Sequence, residues 1–153
     1  MVFSSLIFIF LFLPACLITY YALLAQIFFG AEQYSKALDW VNCLLDEKDL
    51  QHRGDLLAFA RMFNLIIHYE LGNFQLVENL LSSTHKFMKS AKYFELNFSP
   101  IFKMLKEFCA YKGDIPPVVI DQYIHLFDSK ESALKTKVEK YFAFNDWLAA
   151  KQQ

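Results

Sequence analysis

The chain has 153 residues and a formal charge of −1. Only two of its basic residues are arginines, Arg53 and Arg61. That balance gives no basic surface for a phosphate backbone, so nucleic acid is not an expected partner. The residues are 56% hydrophobic, with 17 phenylalanines, so helices must be buried on several sides or part of the chain must meet a membrane.

The first charged side chain is Glu32. Three readings of the run before it stay open. "LPAC" at 13–16 has the look of a lipoprotein processing site with Cys16 modified, although no Lys or Arg precedes it. The run is long enough for a membrane anchor, although no basic flank sets an orientation. It also suits a buried solenoid helix with a second helix starting after Pro14. Residues 18–29 favour the last, because they carry a repeat pattern that a leader or anchor would interrupt. Membrane contact through residues 1–30 is therefore an alternative rather than the expectation.

Residues 33–46 follow as an amphipathic helix. Tyr34, Ala37, Leu38, Val41, Leu44 and Leu45 recur at helical spacing. Asp46, Glu47, Lys48 and Asp49 read as a solvated loop. A helix from about residue 54 carries Met62, Leu65, Ile66 and Tyr69. Residues 74–88 form the next, with Phe74, Val77, Leu80, Leu81, Thr84 and Phe87 on one stripe. Gly30, Gly54, Gly72 and Gly113 all fall between these periodic segments, as helix punctuation does.

Tyr34 pairs with Phe74 at an offset of 40, and Tyr21, Leu24, Ala25 and Phe28 pair with Met62, Leu65, Ile66 and Tyr69 at an offset of 41. The odd residue is assigned to the turn, "GAEQ" against "ELGN". Two helix–turn–helix units, 18–46 and 54–88, are predicted, and such a period marks a helical solenoid. The pattern Tyr21-x-x-Leu24-Ala25-x-x-Phe28 followed by Ala37-x-x-x-Val41 resembles the tetratricopeptide (TPR) repeat. The segments "FARMFNLIIHYELGNF" and "KYFAFNDWLAAK" also resemble the C-terminal part of longer bacterial TPR-like proteins of uncharacterised function. The resemblance implies an interaction scaffold, further repeats before Met1 in the longer form, and no catalytic residues.

After residue 90 the pattern changes. Ser99 and Pro100 open a helix whose apolar face is Ile101, Met104, Leu105 and Phe108. "PPVVIDQYIHLF" gives another. "ESALKTKVEKYFAF" gives a more polar helix with Leu134, Val138, Tyr141 and Phe142 inward. "NDWLAAK" gives a short terminal turn, with the aromatics of "YFAFNDW" fixing the chain end to the last helix pair.

The expected fold is all-α: an apolar leading segment at 1–17, two TPR-like hairpins stacked as a short α-solenoid at 18–88, and capping helices at 89–153. The candidate partner-binding residues are Arg61, Asn64 and His68. They share one face of an otherwise apolar helix at i, i+3 and i+7, and polar atoms there need a partner. That partner is either a neighbouring repeat, which makes the stripe structural, or a docked peptide. The first is preferred because the surroundings are so apolar. His52, His85 and His125 have no ligand-spaced neighbours, and Ser82, Ser83 and Thr84 lack the context of a nucleophile. The expected function is thus non-catalytic, with no catalytic, cofactor-binding or metal-binding residues and no cofactor. It is binding of a protein or peptide partner, in the cytoplasm, or at a membrane or in the periplasm if residues 1–16 are a lipoprotein signal.

Overall fold

A computed structural model describes residues 2–90, 99–128 and 142–152, with side chains of the first helix described at Leu13 and from Ala15 onward. Every regular element among the described residues is helical. The chain divides into two compact units, Met1–Ile67 and His68–Gln153. The division falls inside the third helix.

The first unit holds α1 (Val2–Gly30), α2 (Tyr34–Asp46), a 3₁₀ turn (Lys48–His52) and most of α3 (Gly54–Glu70). α2 packs along α1, and the 3₁₀ turn also touches α1. Ala25, Ala37 and Val41 are fully buried, so small side chains let these two backbones approach. Tyr21 stacks on Trp40 with ring centroids 5.9 Å apart, and Phe29 meets Tyr34 at 5.3 Å. Phe29 also meets Phe63 of α3 at 5.1 Å. Phe63 thus brings α3 into contact with the first helix of the hairpin, an arrangement consistent with a helical repeat.

Two expectations change here. α1 runs through Pro14 without a break. A single proline removes one hydrogen-bond donor from a helix of 29 residues, too little to end it here. The predicted loop at 46–49 gives way at Lys48 to the 3₁₀ turn, held by fully buried Leu50.

The second unit holds the end of α3, then α4 (Phe74–Ser90), α5 (Ser99–Tyr111), α6 (Pro117–Asp128) and α7 (Phe144–Ala150). α4 packs on α5, and α6 on α7. Phe108 is the hub of the core: its ring meets Tyr69 at 6.0 Å, Tyr123 at 5.7 Å and Trp147 at 6.4 Å. Of the "YFAFNDW" aromatics, those from Phe142 onward lie among the described residues and pack inward. Phe142, Phe144 and Trp147 are buried, and Phe144 reaches Phe127 of α6 at 6.0 Å. The predicted polar helix over "ESALKTKVEKYFAF" lies outside the described residues up to Tyr141.

The repeat is visible in the backbone itself. At the α1–α2 turn, Glu32 N–H donates to Phe29 C=O at 2.9 Å, Gln33 to Phe28 at 2.9 Å and Ala37 to Gln33 at 3.0 Å. Forty residues on, Gly72 donates to Tyr69, Asn73 to His68 and Val77 to Asn73, each at 3.0 Å. The left-handed residue closing each turn is Glu32 (φ 58°) in the first and Gly72 (φ 74°) in the second. The true offset at both helix ends is therefore 40, with no extra residue in the turn. The alignment of Phe28 with Tyr69 is corrected to Phe28 with His68, because the left-handed position belongs to Glu32 and not to Gly30.

Candidate functional site

Arg61, Asn64 and His68 all lie on α3, and each is half-buried. By the offset of 40 they occupy the places that Tyr21, Leu24 and Phe28 hold on α1, which are also half-buried. On α1 those places serve the hairpin: Tyr21 stacks on Trp40, and Lys36 Nζ sits 5.4 Å from the centroid of the Phe28 ring.

Arg61 and Asn64 belong to the first unit and His68 to the second. Arg61 is engaged by other parts of the protein. The His68 ring accepts through Nδ1 from Asn73 Nδ2 at 3.2 Å. Burial lowers the His68 pKa below its usual 6.5. Protonating Nδ1 would also turn this acceptor towards an amide N–H as a second donor. Asn64 makes no side-chain hydrogen bond among the described residues. Two of the three stripe residues thus have internal partners, and Asn64 keeps its amide available.

The most concentrated polar arrangement in the second unit escaped sequence reading. Glu70 Oε1 accepts from Trp147 Nε1 at 2.6 Å and pairs with Lys151 Nζ at 2.6 Å. The Lys151 ammonium also lies 5.1 Å from the Tyr69 ring centroid and 5.2 Å from that of Trp147. Burial, with the neighbouring Glu70 charge adding to it, raises the Tyr69 pKa. Tyr123 is likewise raised, by burial and then by the hydrogen bond its hydroxyl donates to Glu107 at 2.6 Å. Cys109 is buried and its thiol pushed up to about 11, chiefly by burial and then by Glu78. These shifts leave the groups neutral at physiological pH and locked in packing, which is structural chemistry rather than reactive chemistry.

Among the described residues no group of three or more His, Cys, Asp or Glu side chains could hold a metal ion. His85 is exposed and packs its ring edge-on against Phe102 at 5.7 Å, and His125 is exposed. The His52 side chain lies outside the described residues. Among the described residues no helix is long and apolar enough to cross a membrane. Cys16, the residue of the candidate processing site, is exposed within the unbroken α1.

No protein-family model matches the chain, and neither a curated protein nor a solved structure does.

Proposed function

We propose that the protein is a non-catalytic scaffold of TPR-like helical hairpins that docks a partner peptide or helix. The observation that carries this reading is the repeat of one turn, bond for bond, 40 residues apart. Stacked helical hairpins present extended surfaces suited to helix or peptide docking. Asn64 is the contact residue of choice on the predicted stripe, since Arg61 and His68 are engaged within the protein. An asparagine amide offers a donor and an acceptor together, which fits a peptide backbone. The proposed location of the folded units is the cytoplasm. The wide spacing of Cys16, Cys43 and Cys109, with no disulfide framework, agrees with a reducing compartment.

The test screens a peptide array with the full chain and measures hits by fluorescence anisotropy. Asn64→Ala should weaken a genuine hit by roughly tenfold, the loss of about one well-placed hydrogen bond with its desolvated partner. It should leave stability within about 0.5 kcal/mol, because no described hydrogen bond is lost. An array without hits, or hits indifferent to Asn64→Ala, refutes the assignment. A destabilised variant returns the stripe to a purely structural role.

A further inference from the structure

α7 has seven residues, too few to hold a helix unaided in water. Its helical form therefore depends on what it rests against. Phe144, Trp147 and Leu148 are buried. The Trp147 ring meets Tyr69 at 6.3 Å and Phe108 at 6.4 Å, and Phe144 meets Phe127 at 6.0 Å. Glu70 joins the two polar groups of the segment, the Trp147 indole N–H and the Lys151 ammonium, through one carboxylate oxygen. The Gln152 amide donates to Asp121 of α6.

This is the anatomy of a recognition contact: an aromatic anchor set among apolar rings, with a charged group matched to its polar edge. A nearly buried ion pair adds little stability over an apolar pair of the same volume. What it does is reject any segment that lacks the matching donors. An apolar side chain at position 70 would serve a plain core, whereas Glu70 selects a helix with a Trp and a Lys four residues apart. We propose that α7 is a ligand carried in cis. The surface beneath it, formed by Tyr69, Glu70, Phe108 and Phe127, docks a helix of another protein that presents the same Trp and Lys. While α7 is seated the surface is closed, and the incoming helix must displace it, which makes α7 an autoinhibitory segment. The stripe that holds Asn64 is a different surface, and neither proposal depends on the other.

A fluorescein-labelled peptide of residues 142–153 supplies the helix in trans. On the parent chain it competes with α7, whose effective concentration is on the order of millimolar, and it should bind poorly. Trp147→Ala in the full chain releases α7, and fluorescence anisotropy should then show the peptide binding roughly tenfold or more tightly. Adding Glu70→Gln to that chain, or Lys151→Ala to the peptide, should each reverse most of the gain. Asn64→Ala should not change it. The unaltered protein supplies an independent reading. In hydrogen exchange the Trp147 amide, bonded to Ala143 C=O, should exchange roughly tenfold or more faster than amides of α5, because α7 leaves while the rest of the unit stays folded. Exchange of α7 and α5 at one common rate overturns the proposal. So does a Trp147→Ala chain that loses its helical circular dichroism, since α7 is then core rather than ligand. A folded Trp147→Ala chain that leaves the peptide free, or binding indifferent to Glu70→Gln, overturns it as well.

Discussion

Replacing Glu70 tests how the C-terminal helix is held. One carboxylate oxygen serves two partners, the Trp147 indole N–H and the Lys151 ammonium, both at 2.6 Å. The Glu70 side chain is only 10% exposed and that of Lys151 20%. A hydrogen bond to a charged acceptor contributes about 1.5–3 kcal/mol. Breaking a fully buried ion pair by removing one member costs about 3–5 kcal/mol. Here the ion-pair loss is smaller, because Lys151 retains some access to water and two aromatic rings beneath it. Glu70→Ala is therefore expected to destabilise the second unit by about 3 kcal/mol. Glu70→Gln keeps an acceptor for the indole but loses the charge, and should cost about half as much. Urea unfolding followed by tryptophan fluorescence measures both, and exposure of Trp147 should also shift its emission to the red. Glu70→Ala within about 0.5 kcal/mol of the parent, or Glu70→Gln as damaging as Glu70→Ala, would refute the division between hydrogen bond and ion pair.

Ala37 is fully buried in the α1–α2 hairpin, so Ala37→Leu should overpack it and lower stability by about 1–3 kcal/mol in thermal denaturation. An unchanged melting temperature would show that α1 and α2 have room to part. His68 gives a pH dependence. Its pKa is lowered in the folded state by burial, so the unfolded chain binds its proton more readily. The stability contributed by neutral His68 is complete above the unfolded value near 6.5 and is lost as pH falls through the lowered folded value. Comparing acid unfolding of the parent and His68→Gln should show a shallower fall in the variant across that window.

Helix boundaries were legible because local chemistry writes them. Apolar residues at 3.6-residue spacing marked α2, α4 and α5, and Gly30, Gly72 and Pro117 stand at or beside helix ends. The likeness of the two helix–turn–helix segments was legible too, but its register was not. Gly30 drew the turn towards itself, whereas the left-handed position falls on Glu32, a residue whose side chain gives no hint of it. That one-residue error hid the equivalence of Arg61, Asn64 and His68 with Tyr21, Leu24 and Phe28. The Glu70–Trp147 bond joins residues 77 apart, and no periodicity encodes a partner at that distance. Exposure along α1 was invisible for another reason. Most positions of that helix are apolar in sequence, so only packing distinguishes buried Ile18 and Ala25 from bare Leu23 and Ile27.

That same separation of Glu70 from Trp147 also bears on the order of assembly. Each hairpin turn closes between residues three to five apart, a local step completed on the microsecond scale of helix formation. Bringing α7 back to the end of α3 closes a far longer loop, and its entropy must be lost before the aromatic hub returns any of it. The last helix therefore arrives late in folding, and its departure is the first route by which the second unit opens.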